Sequence, residues 1–411
     1  MTSFTSANFT SVIATGTDWR DVTRDLLAGL PANSGDPHTI GFLYISDLLV
    51  DDAPSMLDLI RSVTGIQHWV GACGLGVCGN GVSHIDQPAA ALMLGRFDLD
   101  DFKVFPASDL TLAPARSALE DWLDSHDAML TLVHGDPAVE ADPALVLAEL
   151  GRLTGGFLAG GQASSRTNHC IIADQVSQGG IGGVVFSSDV MVATTLTQGC
   201  TPLGPVHTVT RSEANVVMEL DGERAFDVFT TDLKTEILTR AGEDPSGSEI
   251  TETIFADDEP GPSGAVSGPV KNLFTGDVHV ALPVTGSDQR DYMVRTLLGV
   301  DPETGWLAIP QNIEQGQHLM FVHRDPASIE GDLTRVLNDL RLRLTREHGQ
   351  CAPQGAIYIS CVSRTNAGAE NSEMALIRTV IGDVPLVGFY ANGEISNQRL
   401  YGHTGVLILF L

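Results

Sequence analysis

The chain has 411 residues, with 52 acidic against 23 basic side chains and a formal net charge of -29. Apolar residues make up 43% and charged residues 18%, which provides for a large buried core and excludes wholesale disorder. So acidic a surface repels a phosphate backbone and an anionic bilayer, so nucleic acid and membrane surfaces are excluded as partners and solubility is the expected use of the charge.

The first twenty residues lack the basic segment and apolar core of a secretory signal. No apolar run reaches membrane-spanning length. Six cysteines in 411 residues are too sparse for a disulfide scaffold. These features predict a cytoplasmic, thiol-reduced protein.

In chain order, Asp18 opens a helix with Trp19, Val22, Leu26 and Leu30 on one side, stopped by Pro31. Residues 41–46, GFLYIS, form a strand. Pro54 opens a helix with the stripe Met56, Leu59, Ile60 and Val63, closed by Gly65. His68 to Ala72 is the next strand, and it feeds a Gly-rich loop from Gly71 to Gly81. Strands are expected at 89–94 and 102–105, and a helix at 114–123. Met129 to Val133 is a strand, Asp142 caps a helix carrying Val146, Leu150 and Leu153, and Gly156 to Gly161 is another strand. Residues 182–186 and 190–196 read as a strand pair around a Ser-Ser-Asp turn. Strands at 206–209 and 216–220 lead to a hairpin turn at Asp221-Gly222, then a helix over 225–238. Residues 242–270 are acidic and rich in Gly, Pro and Ser, which predicts a surface loop. Short strands follow at 278–283, 292–298, 306–310 and 318–322. A helix with a Leu/Val stripe runs over 330–344.

The C-terminal stretch from Gly355 to Glu394 is a strand, a helix and a strand. GAIYISC is followed by a helix with Met374, Ile377 and Ile381 on one face, then by PLVGFYANGE. It repeats the unit at 41–81. Ile60 precedes Val70-Gly71 by the same step as Ile377 precedes Val387-Gly388. A weaker third copy spans 129–161. The predicted fold class is α/β: two related domains with mixed β-sheets flanked by helices, built on repeated strand-helix-strand-Gly units. The expected division is an N-terminal segment with a helix (1–34), a domain at 35–220 and a second at 221–411.

The repeat leaves Cys361, Arg364, Asn392 and Glu394 unexplained, because the unit at 41–81 lacks them. All four sit at strand ends, where open α/β sheets place their sites. The Arg364 fork suits a carboxylate or phosphate, and Glu394 suits an amino group. The competing reading is an Arg-Glu pair tying two strand ends together. Cys73 and Cys78 with His84 lack the spacing of a zinc site and read as small buried thiols. Gly74, Gly76 and Gly79 fit G-x-G-x-x-G, but no helix start follows, so a dinucleotide site is rejected. A thiol enzyme using Cys361 or Cys200 has no paired histidine in the sequence pattern. An axial haem ligand would come from His134, His207, His279 or His323, which flank apolar strands and read as satisfied strand-end histidines.

Several segments resemble the FIST (F-box and intracellular signal transduction) sensory domain family. TQGCTPLGP at 197–205 and the run at 210–229 look like the passage from its N-terminal to its C-terminal domain. The runs at 290–309 and 321–326, with GAIYISCVSR at 355–364 and PLVGFYANGEI at 385–395, look like the C-terminal domain. The resemblance covers roughly residues 35 to 411. It implies a bacterial small-ligand sensor, with amino-acid-like or carboxylate metabolites as ligands and no activity of its own. It also gives Gln198, Cys200 and Arg211 a claim on the ligand site beside Cys361, Arg364, Asn392 and Glu394. No catalytic residue, metal or cofactor is expected. A haem-binding nitric-oxide sensor and a thiol-dependent enzyme are the alternatives. His84 and the Ser-Arg-Thr-Asn run after Cys361 depart from the family pattern. No kinase, cyclase or coiled-coil segment is legible, so a separate output protein is the expected partner, with self-association left open.

Overall fold

The computed structural model describes residues 2–31, 37–108, 111–138, 142–241, 278–283, 292–365 and 370–411, so the predicted 242–270 loop lies outside the described residues. Compact packing divides the chain into one unit of Met1–Gln198 with Glu330–Leu411 and another of Gly199–Ile329. The sequence-based boundary at 220/221 falls within the second unit.

The first unit is a threefold repeat of one larger motif. The first copy holds β1 (Thr2–Thr5), β2 (Phe9–Thr15), the helix Trp19–Gly29, β3 (Ile40–Ser46), the helix Ala53–Thr64 and β4 (His68–Gly74). A hairpin of β5 (Gly76–Gly79) and β6 (Val82–Ile85) follows, and β7 (Ala89–Gly95) closes the copy. The second copy holds β8 (Phe102–Ser108), the helix Ala113–Leu123, β9 (Ala128–Gly135), the helix Pro143–Thr154 and β10 (Phe157–Gln162). Its hairpin is β11 (Ile171–Ala173) with β12 (Gln175–Ser177), and β13 (Ile181–Ser187) closes it.

The third copy starts with β14 (Val192–Thr197) and is then interrupted. The interrupting body carries β15 (Thr201–Pro202), β16 (His207–Glu213), β17 (Val216–Leu220), β18 (Glu223–Arg224), the helix Ala225–Ala241 and β19 (Val278–Pro283). It continues through β20 (Tyr292–Thr296), β21 (Gly299–Asp301), β22 (Trp306–Ala308) and β23 (His318–His323). The third copy resumes with the helix Pro326–His348, β24 (Gly355–Cys361), the helix Glu370–Ile381 and β25 (Leu386–Ala391). Its hairpin is β26 (Glu394–Ser396) with β27 (Arg399–Tyr401), and β28 (Gly405–Phe410) closes it.

Three mixed sheets result, ordered β1-β2-β7-β3-β4-β11-β12, β8-β13-β9-β10-β26-β27 and β14-β28-β24-β25-β5-β6. In each, the middle strand (β3, β9 or β24) runs parallel to the strand after its helix. It runs antiparallel to the strand that closes its copy. Each copy then sends its hairpin into another sheet. The first copy's β5 pairs with β25, the second's β11 with β4, and the third's β26 with β10. The three copies are thereby interlocked in a closed cycle.

The repeated glycine has a steric cause. The parallel register sets Gly71 opposite Leu43, Gly160 opposite Val133 and Gly388 opposite Tyr358. A Cβ at each glycine would overlap the carbonyl oxygen of that partner. Only glycine lets the two backbones approach so closely. The helices between the paired strands end alike as well. Gly65 and Gly155 cap the first two in the left-handed region, at φ 75° and 71°, and Gly382 follows the third at φ 104°.

One apolar core draws on all three sheets, with Phe42, Tyr44, Leu132, Phe186, Ile359, Phe389 and Phe410 among its residues. Tyr44 stacks on Phe389 at 5.1 Å between centroids. Separate clusters join the second sheet to helices Ala113–Leu123 and Pro143–Thr154, and the third to Pro326–His348 and Glu370–Ile381. The mixed-sheet α/β class read from the sequence is therefore the observed one.

Three local expectations need correction. The Gly-rich run from Gly71 to Gly81 is not a loop: it forms the end of β4, all of β5 and a tight turn at Asn80-Gly81. Its glycines are used for close strand packing, not for a phosphate. The strands at 182–186 and 190–196 do not pair. Their segments, β13 and β14, belong to different sheets, because β13 closes one copy and β14 opens the next. The N-terminal segment holds two strands besides its helix, and β2 completes the first sheet beside β7.

The second unit is a sheet ordered β20-β19-β23-β16-β17-β22-β21, with β15 on β23 and β18 on β17. Phe226, Phe229 and Leu233 of its helix Ala225–Ala241 pack in one core with Phe321 and Val280 of the sheet. Asp221 and Gly222, at φ 53° and 88°, make the predicted hairpin turn.

Candidate functional site

The repeat defines three equivalent strand ends. Three residues beyond Leu43, Val133 and Tyr358 stand Ser46, Asp136 and Cys361. In the first copy, Ser46 Oγ accepts from the Ala89 N–H, and the neighbouring Asp47 pairs with Arg166 at 3.1 Å. In the second, Asp136 accepts from the N–H groups of Ala138 and Gly179 and lies 3.2 Å from His169 Nδ1. Both arrangements tie loops to a strand end. The third differs because both partners of its ion pair are wholly buried, whereas Arg166 and His169 keep part of their surface in solvent.

Arg364 sits in the short helix Val362–Thr365 directly after β24, and none of its surface reaches solvent. Its partner is Glu373, also wholly buried. Nε donates to Glu373 Oε1 at 2.6 Å, and Nη2 donates to the same oxygen. Nη1 donates to the His403 carbonyl at 3.3 Å. Ser360 Oγ donates to the other Glu373 oxygen at 3.1 Å. Burial would lower the guanidinium's pKa, but the Glu373 carboxylate outweighs it and holds Arg364 above its ordinary value.

Glu373 stands nine residues before Gly382. The same count from Gly65 and Gly155 gives Met56 and Val146, both buried and apolar. A glutamate therefore occupies the core-facing stripe of a helix whose relatives bury hydrocarbon there. That was the legible signal for this residue, and the stripe of Met374, Ile377 and Ile381 passed over it.

Glu394 is the second buried carboxylate. It opens β26 opposite Gly161 of β10, with no exposed surface. Its Oε2 accepts from Thr404 N–H at 3.0 Å and from Thr404 Oγ1 at 2.7 Å. Its Oε1 is buried with no N–H or O–H donor on it among the described residues. Burial pushes its pKa up to about 7, against the Thr404 hydrogen bonds, the Arg364 charge and the Cys361 thiol.

Cys361 ends β24 and is 6% exposed. Its sulfur accepts from Ser363 Oγ at 3.0 Å. Ser363 Oγ is in turn 2.9 Å from His403 Nδ1. Ser363 and His403 are half-buried. Burial and the Glu394 charge push the thiol pKa up to about 12, against the Ser363 hydroxyl and the backbone N–H groups of Ser363 and His403.

The structure thus gathers Cys361, Arg364 and Glu394 around one strand end. The competing reading, an Arg364–Glu394 pair tying two strand ends, is not what forms: Arg364 pairs with Glu373 of the following helix. Asn392, on the turn between β25 and β26, is exposed, and its N–H donates to the Gln162 carbonyl at 3.0 Å. Gln198 lies after β14, where its N–H donates to Asp332 at 2.7 Å. Cys200 and Arg211 belong to the second unit. The Cys200 carbonyl accepts from Tyr292, and exposed Arg211 pairs across strands with Glu219. Ser363, Glu373, His403 and Thr404 were missed. The last two come from the turn before β28, and nothing local marks them.

The histidines considered for haem are placed as follows. His134 is buried, with Nε2 3.1 Å from the Tyr44 hydroxyl, and burial lowers its pKa to about 3. His207 has Nδ1 on Asp221 at 2.7 Å and Nε2 on Asp232 at 2.9 Å. His323 Nδ1 lies 3.6 Å from Asp325, and His279 is buried in β19. Cys73 and Cys78 lie on β4 and β5, which join different sheets. No helix among the described residues is long and apolar enough to cross a membrane.

The FIST N domain model matches residues 39–223 and the FIST C domain model matches residues 265–397. Uncharacterized protein Rv0628c of Mycobacterium tuberculosis is 27% identical over 267 residues, covering 63% of this chain and 61% of that protein. Uncharacterized protein Mb0898c of Mycobacterium bovis is 27% identical over 265 residues, covering 63% and 60%. These matches span about three-fifths of the length of each relative. The FIST C match covers the later part of the inserted body and most of the third copy, including β24 and all of β26. With both domains matched in chain order, the chain belongs to the FIST family of signal-transduction sensory domains.

Proposed function

We propose that this chain senses a small amine-bearing, amino-acid-like metabolite in the cytoplasm and hands the signal to a separate output protein. The observation that carries the reading is Glu394 Oε1, a buried carboxylate oxygen at a strand end with no N–H or O–H donor on it among the described residues. A buried acceptor left bare is costly, and a ligand ammonium group would satisfy it. Arg364 is already held by Glu373 and the His403 carbonyl, so its part is to position the strand end. Asn392, exposed on the adjoining turn, is the polar group offered to the ligand's other end. The free state of all six cysteines supports a reducing compartment.

The test is a thermal-shift screen of amino acids, amines and small carboxylates, followed by calorimetry on any hit. An amine should raise the melting temperature, and Glu394→Gln should weaken its binding at least roughly tenfold. Hits confined to carboxylates without an amine, or binding unchanged in Glu394→Gln, would overturn the reading.

A further inference from the structure

A cavity of about 250 Å³ lies before β3, where the helices Trp19–Gly29 and Ala53–Thr64 both end. Leu27 and Leu30 wall it on one side, Val63 and Ile66 on another, and Leu94 of β7 forms the floor. Ile66 and Leu94 are buried, so the inner wall is rigid core. Two polar side chains also line it, and they differ. Thr64 Oγ1 donates to the Ile60 carbonyl at 2.8 Å and is spent within its own helix. His38 is half-buried and has no hydrogen bond or ion pair among the described residues.

His38 is held in place through its neighbour. The Thr39 N–H donates to the Gly95 carbonyl at 2.9 Å, and the Thr39 hydroxyl donates to the Phe97 carbonyl at 2.8 Å. These bonds fix His38 beside the end of β7, within reach of the Arg96 charge. Burial, and then that charge, lowers the imidazole pKa below its ordinary value, so the ring is neutral near pH 7. A neutral ring still carries one N–H to donate. The second copy settles the matching corner differently. There the connection from helix to middle strand is residues 124–127, and His126 stacks on Trp122 at 4.6 Å between centroids. Its Nδ1 also lies 2.9 Å from the Trp122 carbonyl. In the first copy the connection is residues 30–39, and its histidine lines a cavity instead.

Small-molecule sites are concave and mostly apolar, with a few polar groups that fix orientation. An apolar cavity of about 150 Å³ already takes up benzene, so this one holds an aromatic ring or branched chain with a short polar substituent. The wall sets the sign of that substituent. The imidazole offers a donor and Arg96 makes the local field positive, which together favour an anionic acceptor. We infer that this pocket is a second small-molecule site, separate from Glu394, that takes a small apolar carboxylate such as an aryl or branched-chain acid. The apolar part packs against Leu27, Val63, Ile66 and Leu94, and the carboxylate accepts from His38.

The experiment titrates the full-length protein by calorimetry with phenylacetate, using acetate and phenylacetamide to isolate the ring and the charge. Phenylacetate should bind saturably below about 10 mM and at least roughly tenfold more tightly than either control. His38→Ala should weaken it at least roughly fivefold. Val63→Trp, at a position 61% exposed and so tolerant of size, should fill the pocket and weaken it roughly tenfold or more. Melting curves of the two unliganded variants check that both fold. Absence of saturable binding, equal affinity for phenylacetamide, or phenylacetate affinity unchanged in either variant would overturn the inference. Glu394→Gln should leave phenylacetate binding as it is, and a loss there would move the acid to the other site and overturn the assignment. Amines are read through Glu394 and this acid through His38, so failure at one site is distinguishable from failure at the other.

Discussion

Arg364 and Glu373 form an ion pair with no exposure on either side chain, joining the turn after β24 to the helix that leads to β25. The equivalent helix positions in the other two copies hold Met56 and Val146. A buried pair is weak evidence for net stability, since desolvation offsets its attraction. Removing one partner is another matter, because the survivor is left charged in the core. Arg364→Met or Glu373→Met alone should each cost about 3–5 kcal/mol in denaturant unfolding. The double variant Arg364→Met/Glu373→Met should recover much of that loss. Single and double variants with equal cost would show that the pair does not act as a unit.

The second buried carboxylate predicts a pH dependence. Glu394 titrates at about 7 in the folded chain against an ordinary value of 4.5. The folded state therefore holds a proton that the unfolded state has released between those values. Stability from this group is full below pH 4.5 and is lost as pH rises through 7. Unfolding free energies measured from pH 4 to 8 should fall relative to Glu394→Gln, by on the order of 1 to 3 kcal/mol. Parallel curves for the two proteins would refute the assignment.

In the second unit, His207 lies between two carboxylates, Asp232 on one ring nitrogen and Asp221 on the other. Burial would lower its pKa, but the hydrogen bonds and charges of Asp232 and Asp221 together raise it above 6.5. Its stabilisation is present below pH 6.5 and is lost as pH rises through the folded value. Asp221 is itself held low by the Thr208 N–H and His207, and His318 adds to that effect. A ring titration followed by NMR should show a midpoint above 6.5 that falls in Asp232→Asn. Loss of that charge-assisted bond should cost about 1.5–3 kcal/mol.

The glycines give a steric prediction with an internal control. Gly388→Ala would drive a Cβ into the Tyr358 carbonyl oxygen, so the parallel strands must separate. Destabilisation by about 2 kcal/mol or more is expected, as for other overpacked sites. Gly331, in the helix Pro326–His348, has open space where its Cβ would stand. Gly331→Ala should stabilise by about 0.5–1 kcal/mol. Paired melting curves check both, and equal effects would contradict the register given for β24 and β25.

Particular residues show how far the sequence could be read. The Ile60 and Ile377 spacings predict the strand-helix-strand units because helix period and strand length are local properties. The same spacings place Gly71 and Gly388 at matching points, and the structure supplies the reason in the carbonyls of Leu43 and Tyr358. Cys361 and Glu394 stood out because the first copy lacks them. Glu373 was readable in principle, as a charge on an apolar stripe. Thr404 and His403 were not, since they reach the site through the pairing of β28 with β24.

The sequence by itself determined the α/β class, the repeated unit, the helix ends and the strand end at which the unusual polar residues collect. These follow from short-range rules of periodicity, capping and turn chemistry. Three copies were already legible, but tertiary structure alone decided that each lends its hairpin to a neighbour and that residues 199–329 interrupt the third. It also decided that Arg364 pairs with Glu373 and not with Glu394. Pairing between distant strands and the burial of one charge against another depend on which segments meet in space, and no local pattern encodes that meeting.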